Sequence, residues 1–407
     1  MSLFYSEAGR SISYDALFKD IVKQKQYPYV VRHLDYYSVF KDIIISMVAN
    51  MDLVIIDSDL SEEEYKNIGL DESILQKNVE IESKDIKDVN DLFHCVMNAD
   101  KWELTLFTSG TTGLPKRITH TLKSITKAVK VSEQNRQDVW GFAYNPTHIA
   151  GIQVFFQALF NLNHIVRLFQ LSKSEIFSAI SNYQVTNLSA TPTFYRLLLD
   201  PKNSFPSIKR ITSGGEKFDE NLRLPLQRMF PNAKILNVYA STEIGTLFAT
   251  EGEIFTVKHH IQNFVKVVDE ELYVAGEFVG KSDDIKLVDG WFKTGDRVEI
   301  IALDPLRIRF LGRVNESINV GGYKVFPTEV EELINSIPGV KRSLVYGKKN
   351  SVLGNIVLCD VERSDNSLTE PQILEFLGDK LQPFKIPRII RFVDEIETTR
   401  TGKISRK

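Results

Sequence analysis

Two periodicities take turns along the first two-thirds of the chain. Apolar runs such as Leu104 to Phe107 and Ile235 to Tyr239 read as buried strands, while Leu122 to Val131, Gln153 to Phe160, Ile176 to Ile180 and Tyr195 to Leu199 read as amphipathic helices. Strand and helix in alternation predict an α/β body. Between Glu253 and Ile301 the pattern changes to short strands punctuated by glycine, as in Leu272 to Val274 and Arg297 to Ile301, which predicts a small β-barrel or a distorted sheet. A third pattern begins after Gly312. Val330, Leu333, Ile334 and Ile337 fall at helical spacing before Pro338-Gly339, and Thr328 with Glu331 predicts a capping box at that helix's start. Ile356 to Val361 and Ile389 to Val393 read as strands around a second helix, Thr369 to Leu381, with Thr369 and Gln372 as its cap pair. The tail is therefore expected to form a compact α+β module of about 90 residues.

Length sets the scale: at about 150 residues per domain, 407 residues make two or three domains. Hydrophobic residues are 43% and charged ones 25%, which excludes a disordered chain. Fifty basic side chains against 53 acidic leave a net charge of -3, so no global field recruits nucleic acid or an anionic bilayer. Cys95 and Cys359 show no Cys-x-x-Cys spacing and the first residues carry no export pattern, which predicts a cytoplasmic address. Ile149 to Val166 is the most membrane-like stretch, but Gln153, Gln157, Asn161, Asn163 and His164 make it too polar to span; it reads as a buried amphipathic helix, with no integral membrane contact. Charge is uneven only locally. From Asp57 to Asp91 twelve acids face four lysines, predicting a solvated surface with short helices, and from Lys380 to Lys407 eight Lys or Arg face three acids. That basic end suits either solvent or a polyphosphate ligand.

The chemistry is carried by motifs in series. In Leu106 to Lys116 a strand enters a loop holding Thr108, Ser109, Gly110, Thr111, Thr112 and Gly113 and ending at Lys116, so backbone N–H groups, hydroxyls and one ammonium can converge on a phosphate. It is not a Walker A loop, because Pro115 and Arg117 stand where Gly and Ser or Thr are needed. Downstream, Asn237 to Glu243 places the Tyr239 ring, the Thr242 hydroxyl and the Glu243 carboxylate at the end of an apolar strand, where ligands of open α/β sheets gather. The hydroxyl and carboxylate can hold Mg²⁺ on phosphates. Asp296 follows a glycine turn, placed to meet two ribose hydroxyls. Gly312-Arg313, Gly321-Gly322-Tyr323-Lys324 and Thr401-Gly402-Lys403 complete the series.

With these motifs in this order, from Leu104 to Lys403, the sequence resembles the adenylate-forming superfamily of acyl- and aryl-CoA ligases, carrier-protein adenylation domains and luciferases. The resemblance implies a large N-terminal domain (residues 1–312) of two stacked α/β sheets plus a small β-barrel. A mobile C-terminal α+β domain (residues 313–407) would follow a hinge near Asn315. It implies that Thr108 to Lys116 grip the ATP phosphates, that Gly214, Gly215 and Glu216 edge the adenine with Tyr239 stacking on it, and that Thr242 contacts the α-phosphate. Glu243 would bind Mg²⁺, Asp296 the ribose, and Arg313 ribose and phosphate. Lys403 would bridge the attacking carboxylate and the α-phosphate, and Gly321-Gly322 would border the thiol channel, where glycine permits a pantetheine arm to approach without a Cβ clash. Three features depart from the family's pattern: Asn315 at the hinge, Arg117 after Lys116, and only about 105 residues before the phosphate loop, so part of the first subdomain is expected to be missing.

Tyr144 to Gly151 occupies the place of the family's aromatic-His motif. His148 stands near where amino-acid-activating relatives carry an Asp, which favours a carboxylic acid without an α-amino group, with His148 as a gate beside the carboxylate. Ala190, Thr191 and Pro192 are expected to wall the pocket. The expected activity is ATP-dependent joining of that acid to coenzyme A through an acyl-AMP, with ATP, Mg²⁺ and coenzyme A as cofactors. The alternative acceptor is the phosphopantetheine of an acyl carrier protein.

Overall fold

The computed structural model describes residues 2–57, 60–82, 86–108, 115–218, 220–321, 323–350, 354–399 and 403–406. Its largest layer is an eight-stranded sheet in the order Gly245–Thr250, Lys234–Ser241, Arg210–Gly214, Asn187–Ala190, Val139–Phe142, His164–Arg167, Leu3–Glu7, Arg10–Ser13. The inner pairings are parallel and the two outermost antiparallel. A second sheet runs Val30–Val31, Leu53–Ile55, Glu103–Thr108, Lys116–Thr121, and its last two strands form an antiparallel hairpin.

One continuous core joins the two sheets. It passes from Phe4, Phe142 and Ile165 through Phe40 of the helix Tyr36–Ala49 and Phe155 of the helix Ile149–Phe160 to Leu53, Leu104 and Leu106. The Phe40 and Phe155 rings stack at 4.8 Å. A helix held between sheets has no solvent face to keep polar, and eleven of the fourteen residues of Tyr36–Ala49 are buried. Trp102 closes this layer, its indole N–H donating to Ser46 Oγ at 2.8 Å, so the buried polar atom is satisfied.

Two helical expectations shorten in the structure. Leu122 to Val131 is helical only over Leu122–Ile125; beyond it, Gln157 and Asn161 of the neighbouring helix bond the backbone of Lys130 and Ser132 and replace the intrahelical bonds. The stretch from Ile149 to Val166 breaks at Phe160: Asn161 and Asn163 bond back to backbone carbonyls, Leu162 takes φ 56°, and a strand follows. Among the described residues no helix is long and apolar enough to cross a membrane.

His164, at the head of that strand, lies with Nε2 2.8 Å from Ser6 Oγ and edge-on to Tyr183. Burial pushes its imidazole down to about 4 from 6.5. Between those values the unfolded chain takes up a proton that the folded one refuses, so stability falls with pH across that window. His164→Gln is expected to remove about 2 kcal/mol of the stability lost between about pH 7 and pH 4.5, read from urea unfolding at both pH values.

Where the barrel was expected, an antiparallel sheet runs Ile254–Thr256, Leu306–Arg313, Trp291–Leu303, Glu271–Ala275, Val265–Val268, with Leu287–Val288 also on Trp291–Leu303. Its core of Phe255, Leu272, Val298 and Ile308 continues into Ile244 and Phe248 of the large sheet's edge. The strand Leu306–Arg313 is followed by the turn Val314–Glu316, which holds the exposed Asn315.

Beyond that turn stands a five-stranded sheet ordered Tyr323–Val325, Ile318–Val320, Gly354–Arg363, Val340–Asn350, with Ile389–Val393 parallel to Gly354–Arg363. The helices Pro327–Asn335 and Glu370–Gly378 pack on it through Val330, Ile334, Ile373 and Leu377. Gln372 Oε1 accepts from both the N–H and the hydroxyl of Thr369, as expected of the cap pair. The other expected box does not form. Pro327, with its preset φ, opens the helix, so Thr328 falls inside it. Thr328 Oγ1 donates instead to Leu311 O at 3.0 Å, and the Glu331 carboxylate accepts from Val345 N–H at 2.8 Å and from Arg406.

Candidate active site

The ends of three adjacent parallel strands deliver most of the motif residues to one edge. Asn187–Ala190 leads to Thr191, Arg210–Gly214 to Gly215 and Glu216, and Lys234–Ser241 to Thr242 and Glu243. The backbone at the last pair is fixed from outside the sheet. His120 Nε2 lies 2.7 Å from Thr242 O, and Gly280 N–H donates to Glu243 O at 2.7 Å. Burial lowers the pKa of His120, which favours the neutral ring.

Asp296 belongs to the bent sheet and lies directly across from Arg313. Its carboxylate accepts from the Tyr239 hydroxyl at 2.6 Å and pairs with Arg313 Nε at 2.7 Å, joining the two sheets by one buried anion. Burial raises the Asp296 carboxyl above its usual range, against the opposing pull of Arg313 and Tyr239. The Tyr239 phenol is pushed well up by burial and by Asp296, so it stays a donor. Its ring stands near-parallel to Phe310 at 4.1 Å and to Phe248 at 5.8 Å.

Lys403 arrives at this edge from the C-terminal module. Gly215 takes φ 83°, a conformation few side chains adopt, and a Cβ built on it would stand 3.2 Å from Lys403 Cε. Ile404 N–H, the next donor along, reaches Glu216 Oε1 at 3.0 Å. Burial lowers the Lys403 ammonium pKa, Arg313 acts in the same sense, and the carboxylates of Glu216, Glu243 and Asp296 oppose them. The structure therefore brings Gly215, Glu216, Glu243, Asp296, Arg313 and Lys403 to one place from two sheets and the chain's end.

Other expected residues fall as follows. Thr108 and Lys116 face each other across the antiparallel strands Glu103–Thr108 and Lys116–Thr121; Ser109, Gly110, Thr111, Thr112 and Gly113 lie outside the described residues. Gly214 packs against Val238 O. Gly321, at φ 58°, follows the strand Ile318–Val320, which pairs antiparallel with Tyr323–Val325, while Gly322 lies outside the described residues.

His148 is the N-cap of the helix Ile149–Phe160, and Nε2 stands 3.4 Å from Asp57 Oδ2. Asp57 Oδ1 also accepts from Asn145 Nδ2 at 3.1 Å and from the Thr147 hydroxyl. Asp57 therefore does not belong to the solvated acidic surface that its neighbours in sequence predicted; it gathers the loop before His148. Sequence reasoning also missed His120 and Gly280. The only signal for His120 was its inward place in the alternating strand Lys116–Thr121.

Comparison with known proteins agrees with this architecture. The profile of the AMP-binding enzyme family matches residues 44–282, and that of the AMP-binding enzyme C-terminal domain matches residues 329–403. The chain belongs to the AMP-binding enzymes. It is 23% identical over 346 residues to the 2-succinylbenzoate–CoA ligase of Staphylococcus epidermidis, covering 79% of this chain and 72% of that one. It is 26% identical over 354 residues to 4-coumarate–CoA ligase-like 9 of Arabidopsis thaliana, covering 77% of this chain and 63%, under two-thirds, of that relative. Among solved structures, the o-succinylbenzoate CoA synthetase of Bacillus subtilis in complex with its acyl-adenylate intermediate shares the fold at a TM-score of 0.74 and 19% identity, covering 99% of this chain and 94% of that one. The ATP-bound MatB of Rhodopseudomonas palustris also gives a TM-score of 0.74, at 18% identity and with the same coverage.

Proposed function

We propose that the protein is an ATP-dependent acid–thiol ligase. It activates a carboxylic acid as acyl-AMP with release of pyrophosphate and then passes the acyl or aryl group to the thiol of coenzyme A. The observation that carries this reading is the meeting of Lys403 with Gly215, Glu216, Glu243, Asp296 and Arg313, cations and anions from both ends of the chain around one strand edge. A carboxylate is a poor acyl donor because its leaving group would be oxide, and attack on ATP forces two anions together. In a site shielded from water, each well-placed cation stabilises that encounter by about 3 kcal/mol.

Each residue then has a task. Thr108 to Lys116 hold the β- and γ-phosphates, and Thr242 meets the α-phosphate. Gly214, Gly215 and Tyr239 flank the adenine. Asp296 takes the ribose hydroxyls, with Arg313 beside ribose and phosphate. Lys403 bridges the attacking carboxylate and the α-phosphate. Mg²⁺ would rest on Glu243 and supply charge neutralisation on the phosphates. A single carboxylate at the end of the strand Lys234–Ser241 suits that ion, because Mg²⁺ is commonly held by one or two carboxylates plus substrate phosphates. His148, ordered by Asp57, stands beside the acid in this reading, and the domain boundary falls in the turn Val314–Glu316.

ATP–pyrophosphate exchange across a panel of carboxylic acids tests the first half-reaction without knowledge of the thiol. Exchange that needs both Mg²⁺ and a particular acid is expected; a panel spanning aliphatic and aromatic acids with no exchange at all counts against the proposal. Thioester formation with coenzyme A, set against a holo-carrier protein, then decides the acceptor.

A further inference from the structure

Three consecutive residues after the strand Arg210–Gly214 contact the C-terminal module at separate points. Gly215 lies against the Lys403 side chain, as above. Glu216 has both oxygens engaged by backbone donors: Oε2 accepts from Thr193 N–H at 3.0 Å, at the start of the helix Pro192–Leu198, and Oε1 accepts from Ile404 N–H at 3.0 Å. Lys217 Nζ pairs with Glu332 Oε1 at 2.6 Å, on the helix Pro327–Asn335. The two landing points are joined to each other, because Arg406, three residues after Lys403, binds the Glu331 carboxylate at 2.8 and 2.6 Å. Tail, helix and strand end thus form a closed circuit of contacts around the lysine.

From this circuit we infer that Glu216 and Lys217 are positioning residues for adenylate formation: they form a two-point clip that holds the C-terminal module with Lys403 in the site, and they make no essential contact with nucleotide. The inference rests on the reading of Lys403 given above and reassigns Glu216, whose sequence position suggested the edge of the adenine. A carboxylate whose two oxygens bind main-chain N–H groups from opposite sides sets the spacing of those two segments. It therefore fixes the distance from Thr193 to the residue after Lys403. The Lys217–Glu332 pair is partly open to solvent, with side chains 21% and 30% exposed, so its contribution is modest and salt-sensitive. It acts on the first half-reaction alone, because a supplied acyl-adenylate no longer needs Lys403 in place.

Charge reversal separates this role from a merely structural one. Lys217→Glu and Glu332→Lys are each expected to slow ATP–pyrophosphate exchange about fivefold, and the double reversal to recover to within about twofold of the parent. Thioester formation from supplied acyl-adenylate is expected to change less than about twofold in all three. A double variant no faster than the single ones, or equal loss in both half-reactions, overturns the clip.

A second measurement needs no substrate. Hydrogen exchange at the Thr193 and Ile404 amides is expected to speed up at least about tenfold in Glu216→Ala relative to the parent, and unchanged protection of both overturns the assignment. If no acid supports exchange in the parent protein, the ligase reading fails while these two amides still report on the clip.

Discussion

Lys403→Ala is expected to lose acyl-adenylate formation by about 10²- to 10³-fold and to lose far less of the thioester step from a supplied adenylate. The side chain lies against Gly215, where a Cβ would stand 3.2 Å from Cε, and it faces three carboxylates and one guanidinium there. In the role proposed above, loss of the ammonium would leave the incoming carboxylate to meet the α-phosphate with one fewer countercharge, a cost that would fall on the bond-forming step. The proposed assignment gives ATP binding to Asp296, Arg313 and the loop from Thr108 to Lys116, so kcat for exchange is expected to fall much more than KM for ATP rises. Parallel assays of the two half-reactions check this. Equal loss in both would remove Lys403 from its proposed role.

The second large effect concerns stability. Glu362 and Arg342 are both 2% exposed in the C-terminal module. The Glu362 carboxylate accepts from Arg342 Nε at 2.8 Å, from Ile396 N–H at 3.1 Å and from Lys341. Glu362→Ala leaves the Arg342 guanidinium buried without its counterion and is expected to cost about 3–5 kcal/mol. Replacing both residues by apolar ones of similar volume is expected to cost less than the single change. Urea unfolding of the single and double variants checks the order. Burial alone would raise the Glu362 carboxyl, but the bonds from Lys341, Ile396 and Arg342 together hold it below 4.5. Its contribution is therefore complete above about pH 4.5 and is lost as pH falls further. Because Ile396 leads into the tail that carries Lys403, the single variant is also expected to lose exchange activity before the large sheets unfold.

Local chemistry was legible in the sequence; long-range partnership was not. The strand entering the loop after Thr108 and the strand that ends at Ser241 could be read because each motif is contiguous and its order along the chain is informative, whereas the glycine turn expected before Asp296 is part of the strand Trp291–Leu303. His120 and Thr242 are 122 residues apart, and Asp57 and Thr147 are 90. Neither pair leaves a mark in periodicity. Asp57 was further masked by the acids around it, since composition averages over a window and a single inward carboxylate does not change the average. Thr328 and Glu331 show the opposite failure. Their spacing matches a cap, but with Pro327 as its first residue the helix starts two residues earlier, and the two side chains are spent on the strand Leu306–Arg313 and the tail. The basic excess near the end reads more clearly once Arg406 is seen on Glu331 and Lys385 on Glu329, pairs that hold tail and helix together.

Arg313 is the last residue of its strand, bonded to Asp296 before the chain crosses into the final module. A swivel at Val314–Glu316 would carry Lys403 away yet leave that guanidinium where it was. The activated intermediate would thus keep its grip on the enzyme while the machinery around it changes over, and little of so hydrolysable a species would leak into water between the two steps.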